Sequence, residues 1–186
     1  PEDSVIHFGI LNSLRAWNLF KLPDTVRSSS NVGGFGIDGG MSTLVGASYA
    51  NPEKLYYLVI GDLAFFYDMN VLGNRHLGKN LRIILVNNGR GTEFRNYGHH
   101  TSHFGIDADD FIAAAGHFGN QSRSLVRGYT EALGFEYLPI ESKTDFKEKF
   151  PESFFKISNH SMITEIFTDT DEESKALEMM MNIIVD

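Results

Sequence analysis

The stretch LYYLVIGDLAFFYDMNVLGNRHLGKNLRIILVNNGRG, residues 55–91, decides the fold of this 186-residue chain. It contains two apolar runs, residues 55–60 and 81–86, each with the length and composition of a buried strand. Between them, residues 65–75 have the apolar spacing of a helix. A strand, a helix and a strand in this order predict a parallel crossover unit, in which both strands end at the same edge of the sheet.

A polar residue follows each predicted strand. Asp62 comes after the first strand and Asn88 after the second, so we expect the two side by side where open α/β sheets bind ligands. A carboxylate and an amide oxygen suit Mg²⁺, which also keeps water or phosphate ligands. Gly89 and Gly91 permit a sharp turn, so the main-chain carbonyl of Arg90 is a candidate third ligand. The structural alternative for Asp62 is a cap on the next helix.

Composition excludes several classes of protein. The net charge of −8 has no basic cluster to offset it, which argues against a nucleic-acid partner. The absence of cysteine excludes a disulfide scaffold and a zinc–thiolate site, and agrees with a reducing cytoplasm. No apolar stretch is long enough to span a bilayer.

The remaining pattern predicts further strands and helices around the central unit. Helices are predicted at residues 4–20, 41–50, 109–118, 123–133, 144–155 and 170–184, and strands at residues 25–29, 135–140 and 162–168. This alternation predicts one α/β domain, residues 1–186, with a doubly wound, mostly parallel sheet and helices on both faces. The chain begins at Pro1 and has no Met before Met41, so we expect a piece of a longer protein.

Four smaller features complete the prediction. Residues 92–105 are predicted to form a long loop that contains His99, His100 and His103. These histidines could bind a metal, because positions 99 and 103 are one helical turn apart, but nothing around them predicts a helix, which favours solvated loop histidines. A lid over the site is a further hypothesis. His117 is predicted to pack in a helix. Residues 170–173 have the spacing of a capping box. The methionines of the last helix, Met179, Met180 and Met181, are predicted to fill the core.

The glycine-rich segment contains a literal G-x-G-x-x-G at residues 34–39. With a helix, a strand and Asp62 after it, this is the outline of a nicotinamide-dinucleotide fingerprint. The strand candidate before it is polar, however, and Asn88 has no part in that scheme. A turn whose glycines serve only its geometry is the third interpretation.

The pair Gly61-Asp62, a crossover unit, and the pair Asn87-Asn88 resemble the signature of thiamine-diphosphate-dependent enzymes. The resemblance implies that Asp62, Asn88 and the carbonyl of Arg90 hold the Mg²⁺ that bridges the cofactor's diphosphate. Leu63 stands where the family has the third residue of its GDG or GDS. The implied cofactor-binding residues are Asn31, Gly36, Ile37, Asp38, Gly39, Gly61, Asp62, Leu63, Ala64, Asn88, Arg90 and Gly91.

Residues 30–43 are similar to the corresponding segment of the menaquinone-pathway branch of that family, the succinyl-enolpyruvyl-hydroxycyclohexene-carboxylate synthases. The resemblance implies that Ile37, a stiff β-branched residue, separates the two rings of the cofactor. A plain core position is the alternative for Ile37. Val32 stands where this branch has an Arg that meets an anionic substrate, and an apolar side chain cannot pair with a carboxylate. A carboligase or decarboxylase with another acceptor is therefore also predicted.

The resemblance covers almost the whole chain and implies the diphosphate-binding domain of an enzyme of the acetolactate synthase and menaquinone-synthase type. Such an enzyme decarboxylates a 2-oxo acid, and the resulting product is either joined to an acceptor or protonated. The activating Glu would lie on a separate pyrimidine-binding domain of the same or a second subunit, so no catalytic residue is expected here. We expect a cytoplasmic homo-oligomer at full length and an inactive fragment alone. A dinucleotide oxidoreductase domain and a non-catalytic interaction module are the competing classes.

Overall fold

The computed structural model describes residues 1–34, 36–95, 98–112 and 121–183. Its strands are β1 (Val5–Phe8), β2 (Arg27–Ser30), β3 (Tyr56–Gly61), β4 (Leu81–Asn87), β5 (Glu136–Ile140) and β6 (Met162–Phe167). Its α-helices are α1 (Asn12–Trp17), α2 (Gly40–Ser48), α3 (Asp62–Asp68), α4 (Leu125–Ala132), α5 (Lys143–Lys149) and α6 (Thr170–Ile183). Four 3₁₀ helices are described at Met69–Gly73, Thr92–Arg95, His100–Phe111 and Glu152–Phe155.

The six strands form one parallel sheet in the order β2-β1-β3-β4-β6-β5. From β1 the chain proceeds to β2 on one side, and from β3 it proceeds to β4 on the other side. The direction of winding therefore reverses between β1 and β3, and a crevice opens there beyond the carboxyl ends of the strands. The predicted α/β class and doubly wound sheet are confirmed.

Each face of the sheet carries its own apolar core. Leu58 and Ile60 of β3 point to a core that also contains Met41 of α2 and Phe65 of α3. Tyr57 and Val59 point to the opposite core, which is covered by α1 and by the 3₁₀ helix Glu152–Phe155. This alternation buries β3 on both sides, as in other parallel sheets. Within the described parts of the chain, no helix is both long enough and apolar enough to cross a membrane.

The predicted helix at residues 4–20 is wrong in its first half. Val5–Phe8 forms β1, and α1 begins only at Asn12. Ile6, Leu14 and Trp17 nevertheless pack into the same core, the first from the strand and the other two from the helix. The apolar spacing thus identified a shared face, but a strand followed by a helix produces the same spacing over a short stretch.

Two further helices have different bounds from those predicted. Helix α3 begins at Asp62 rather than residue 65, and its continuation Met69–Gly73 is a 3₁₀ helix. The predicted helix at residues 144–155 ends at Lys149, because Phe150 and Pro151 adopt extended backbone. The composition of residues 144–155 also predicts a polar surface helix, but Phe154 is only 1% exposed.

The predicted loop at residues 92–105 is also different in the structure. Its described residues include the 3₁₀ helix Thr92–Arg95 and the start of the 3₁₀ helix His100–Phe111. Most of the predicted helix at residues 109–118, including His117, lies outside the described residues.

The last helix differs in its cap and in its methionines. The side chain of Asp169 accepts hydrogen bonds from the backbone N–H groups of Asp171 and Glu172, so it takes the place predicted for Thr170. Met179 is 67% exposed and Met181 is 41% exposed, so the prediction that they fill the core is wrong.

Candidate functional site

Asp62 lies beside the loop that follows β4. The ends of β3 and β4 are in register, with Gly61 opposite Val86. The Oδ2 atom of Asp62 accepts a hydrogen bond of 2.8 Å from the backbone N–H of Gly89, and Asp62 is 1% exposed. Asp62 is the first residue of α3, and Gly61 occupies the N-cap position of that helix. The parallel pairing of two strands therefore brings the predicted carboxylate against the predicted turn.

Gly89 makes that turn possible. Its φ angle is +87°, a left-handed conformation that glycine adopts without a steric cost. Its N–H also lies 3.1 Å from Oδ1 of Asn87. The backbone at Gly89 is thus held by a carboxylate from the start of α3 and an amide oxygen from β4.

Asn87 is fully buried and connects the loop to β6. Its Nδ2 donates a hydrogen bond of 2.6 Å to Oε1 of Glu165, which is also fully buried. The phenol of Tyr137 on β5 donates a hydrogen bond of 2.6 Å to the other oxygen, Oε2. A chain of side chains therefore runs from Tyr137 through Glu165 and Asn87 to the backbone of Gly89.

Asn88 makes a second chain of the same kind. Its Oδ1 accepts a hydrogen bond of 3.1 Å from the backbone N–H of Arg90, and its Nδ2 donates one of 2.6 Å to Oε2 of Glu173. The hydroxyl of Thr168 donates to the other oxygen of Glu173. The carbonyl of Asn88 is in reach of the hydroxyl of Thr170 at 3.3 Å. The end of β4 is thus tied to the start of α6.

The charge at this edge is negative and removed from water. Burial raises the pKa of Glu165 above its ordinary value, against the opposing effect of its hydrogen bonds from Tyr137 and Asn87. Burial likewise raises the pKa of Glu173, again against its own hydrogen bonds. Repulsion from Asp62 contributes to both increases. A cation placed here would reduce this repulsion.

The donor set fits a hard cation bound through few protein oxygens. Within the described residues, no group of three or more His, Cys, Asp or Glu side chains is arranged to hold a metal. The predicted set of Asp62, Asn88 and Arg90 needs only one carboxylate, because its other ligands are an amide oxygen and a carbonyl. A carboxylate or amide oxygen has more than one acceptor position, so the hydrogen bonds to Gly89 and Arg90 leave room for a metal. Mg²⁺ bound in this way keeps positions for phosphate.

The other predicted residues of this loop and helix lie next to that set. Gly61 ends β3, and Leu63 and Ala64 follow Asp62 in the first turn of α3. Gly91 follows Arg90 in the loop. The structure therefore places these residues around Asp62 and Asn88.

The side chain of Arg90 points to a different contact. Its Nη1 lies 3.5 Å from Oδ2 of Asp109, and Arg95 pairs with Oδ1 of the same carboxylate. Asp109 belongs to the 3₁₀ helix His100–Phe111. The loop after β4 is thus also attached to that 3₁₀ helix.

The glycine-rich segment forms a closed loop over the carboxyl end of β2. Asn31 donates to the carbonyl of Gly39 at 3.3 Å and to the hydroxyl of Thr43 at 2.9 Å, so it joins the two ends of the loop. Gly39 has a φ angle of +75°, and a side chain at Gly36 would overlap the carboxylate of Asp38. An open cleft of about 510 Å³ lies along this segment.

Two side chains of this segment were singled out in the sequence. Ile37 is half-buried and belongs to neither core of the described residues, so the core interpretation is not supported. Val32 is 54% exposed and lines the cleft. Val32 is therefore placed where a ligand in this cleft can contact it.

The loop histidines are mostly solvated, as predicted. His100 and His103 are exposed. His99 is half-buried, and its Nδ1 accepts a hydrogen bond from the backbone N–H of Thr101 at the start of the 3₁₀ helix. A lid function for these residues stays a prediction.

Sequence reasoning missed several residues of this site. Glu165 carries a detectable signal, because a carboxylate inside the strand sequence MITEIF has to find partners when it is buried. Glu173 was assigned to a helix cap instead. Gln121 had no signal, yet its side-chain amide donates to the carbonyls of Asn87 and Thr168 at the ends of β4 and β6.

One backbone feature marks the crevice between β1 and β3. Leu11, just after β1, has a φ angle of +68° and a ψ angle of −126°. Residues other than glycine rarely adopt this conformation, and it carries strain of order 1–3 kcal/mol.

Comparison with known proteins identifies the relatives of the chain. The 2-succinyl-5-enolpyruvyl-6-hydroxy-3-cyclohexene-1-carboxylate synthase of Bacteroides fragilis is 34% identical over 184 residues, which cover 96% of this chain and 31% of the synthase. The synthases of the same name from Phocaeicola vulgatus and Bacteroides thetaiotaomicron are 34% and 32% identical over 95% and 96% of the chain. The chain is a homologue of these synthases.

This result confirms the resemblance to the menaquinone branch of the thiamine-diphosphate-dependent family, which rested on residues 30–43 and on the paired Asp62 and Asn88. The chain spans 30–31% of the length of these three relatives. No family model matches the chain.

Proposed function

We propose that this chain is the Mg²⁺- and diphosphate-binding half of a thiamine-diphosphate-dependent enzyme that decarboxylates a 2-oxo acid and joins the product to an acceptor. The observation that carries the proposal is the hydrogen bond of 2.8 Å between Asp62 and the backbone of Gly89. It joins the ends of β3 and β4 into one site at the sheet edge where ligands bind. The homologous synthases support the choice of cofactor.

Each residue has a defined task in this proposal. Asp62, the amide oxygen of Asn88 and the carbonyl of Arg90 would hold Mg²⁺ together with the cofactor's diphosphate. Ile37 would contact the cofactor between its two rings. The bound cofactor supplies a site that takes up the electron pair released when a 2-oxo acid loses CO₂.

A second set of residues shapes the pocket around the cofactor. Gly61, Leu63 and Ala64 surround the diphosphate, as does Gly91. Asn31, Gly36 and Asp38 line the cleft, and the carbonyl of Gly39 accepts a hydrogen bond from Asn31 at the end of the same loop.

The proposal also requires a second domain. The Glu that activates the cofactor would come from a pyrimidine-binding domain of the same or a second subunit, within a homo-oligomer in the cytoplasm. We therefore expect this chain alone to bind the cofactor weakly and to catalyse nothing. The relatives support a further domain, because they are about three times as long as this chain.

The substrate is related to that of the homologues but recognised differently. An exposed Val32 lines the cleft and cannot pair with a carboxylate. We infer that the acceptor needs no cation at this position, as in a carboligase or decarboxylase with an acceptor different from that of the menaquinone branch.

Two observations disfavour the dinucleotide alternative. The G-x-G-x-x-G segment follows β2, which is a polar edge strand rather than a central buried one. The carboxylate of Asp62 accepts the Gly89 N–H, and so faces the loop after β4. Neither feature supports a ribose contact by Asp62.

Titration calorimetry of this chain with thiamine diphosphate tests the proposal. We expect binding that requires Mg²⁺ and is lost in Asp62→Ala, because the substitution removes the only carboxylate of the proposed set. Asp171→Ala is the matched control, since Asp171 is an exposed residue in the first turn of α6. The Asp171→Ala variant should bind thiamine diphosphate as the wild-type chain does. Tight binding of NAD without a metal would overturn the proposal, as would unchanged cofactor binding by Asp62→Ala.

A further inference from the structure

The two asparagines after β4 are held in the same way by two different glutamates. In each, the side-chain nitrogen donates to a glutamate at 2.6 Å, and the side-chain oxygen accepts the backbone N–H two residues later at 3.1 Å. Behind each glutamate stands a hydroxyl group, that of Tyr137 for Glu165 and that of Thr168 for Glu173. The repetition shows that the loop is oriented through side chains that lie on β6 and α6.

This arrangement settles which end of each amide faces the loop. The oxygen and nitrogen of an asparagine side chain have nearly the same shape, so only their hydrogen-bond partners select one orientation. An ionised carboxylate accepts hydrogen bonds and cannot donate them. A glutamate next to the amide therefore attracts its nitrogen and turns its oxygen away.

The orientation matters for Asn88. With the nitrogen on Glu173, the oxygen is on the side of Arg90, whose carbonyl is the next proposed ligand. The opposite orientation would present an NH₂ group to the metal, and an NH₂ group cannot coordinate a cation. The orientation of Asn87 matters less directly, because its oxygen holds the backbone N–H of Gly89.

We propose that Glu165 and Glu173 are positioning residues that fix the side-chain amides of Asn87 and Asn88 with their oxygens toward the loop. The proposal rests on the proposed function, because it gives the Asn88 oxygen the task of binding Mg²⁺. The two glutamates differ in their setting. Glu165 is fully buried in the sheet, whereas Glu173 is half-buried on the first turn of α6. The amide of Asn88 is therefore the more easily released of the two.

Nuclear magnetic resonance of the side-chain NH₂ groups tests the orientation without any ligand. In the wild-type chain we expect one set of NH₂ signals for each asparagine, with the proton on the carboxylate side shifted downfield. Glu173→Gln should give two sets for Asn88, because a glutamine can either accept or donate, and should leave Asn87 unchanged. Glu165→Gln should affect only Asn87. Unchanged NH₂ signals in both variants would overturn the proposal.

A second experiment tests whether the orientation of the Asn88 amide contributes to metal affinity. Electron paramagnetic resonance measures the affinity for Mn²⁺ in the presence of thiamine diphosphate. Partners of metal ligands typically contribute 10–100-fold to affinity, so we expect a loss of about 10-fold in Glu173→Gln. Glu172→Gln is the charge control, since Glu172 lies on the same turn and its side chain pairs with Lys175 rather than with an asparagine of the loop. Its affinity should stay within about 2-fold of the wild type, which is small against the effect of a metal-ligand partner.

A variant that keeps all charges separates orientation from electrostatics. Thr168→Val removes the hydroxyl behind Glu173, and we expect a loss of about 3-fold in affinity, as for one hydrogen bond. An unchanged affinity in both Thr168→Val and Glu173→Gln would overturn the inference while wild-type binding still supports the proposed function. If binding is lost in Asp62→Ala and in none of the other variants, the inference is overturned and the proposed function is still supported. Wild-type NH₂ signals that show no contact with a carboxylate would overturn the inference whatever the metal does.

Discussion

The two edges of the sheet bury polar groups in opposite ways. At the amino edge, Arg82 on β4 is fully buried and donates to backbone carbonyls and one hydroxyl. At the carboxyl edge, burial raises the pKa values of Glu165 and Glu173. Asp62 lies close enough to both to raise these pKa values further. One edge holds a cation among fixed backbone oxygens, and the other holds anions among side chains.

The contacts of Arg82 leave nothing for a ligand. Its guanidinium donates to backbone carbonyls at the start of β4 and in the segment that contains the 3₁₀ helix Glu152–Phe155. These are the carbonyls of Lys79, Leu81, Ser153, Phe154 and His160, at 2.8–3.3 Å, and that of Lys156. A buried charge satisfied by backbone oxygens holds chain segments together. The carboxyl edge instead retains a negative charge that a bound cation can balance. The comparison suggests that stability depends on the first edge and binding on the second.

The largest effect on stability is expected for Arg82→Met. The substitution leaves several buried carbonyls without a donor, so the free energy of unfolding in urea should fall by roughly 3 kcal/mol. Arg27→Met, at an exposed position on β2, is the matched control. Equal unfolding curves for the wild type and Arg82→Met would remove the distinction between the two edges.

A smaller loss at the same edge is expected for Tyr57→Phe. The phenol of Tyr57 donates to the carbonyl of Phe154 at 3.0 Å, and that carbonyl keeps Arg82 as a donor in the variant. The free energy of unfolding should therefore fall by about 1 kcal/mol. Tyr49→Phe, at a position that is 45% exposed, should show no change.

The carboxyl edge should show its character in the pH dependence of stability. Because the pKa of Glu165 is raised by folding, the folded chain keeps this proton at a pH where the unfolded chain has lost it. The stability that this proton provides is complete below the ordinary value of 4.5 and is lost as the pH rises through the raised pKa. Glu165→Gln should therefore lose less stability than the wild type as the pH rises from 4.5. Parallel pH profiles in urea unfolding would contradict this.

The smallest effect on stability is expected for Asp62→Asn. The new amide oxygen can still accept the N–H of Gly89, and the repulsion of Glu165 and Glu173 is reduced. The free energy of unfolding should stay within about 0.5 kcal/mol of the wild type, while the affinity for Mg²⁺ with thiamine diphosphate falls. A large loss of stability would show that Asp62 serves the fold, as Arg82 does.

Much of this structure could be predicted from the sequence, because the strands of the central unit are apolar runs of strand length and its helix has a helical period. The runs at residues 55–60 and 81–86 predicted β3, β4 and their shared edge. The four-residue strand β1 was hidden, since Ile6, Leu14 and Trp17 share one core across a strand and a helix.

The partners of the two asparagines were beyond sequence reasoning for a different reason. Glu165 and Glu173 are 78 and 85 residues from the asparagines that they contact, so no local spacing connects them. Only the pairing of β4 with β6 places them together. Long-range contacts of this kind follow from the order of strands, which periodicity does not give.

The conformation of Leu11 has a consequence for protein engineering. A glycine at this position would relieve the strain of its positive φ angle, so we expect Leu11→Gly to be a candidate stabilising substitution in a screen for heat resistance. The same substitution would free the chain to move between β1 and α1. A screen that selects for stability alone would thus loosen one wall of the crevice, and the thermostable clones should be tested for ligand binding before they are kept.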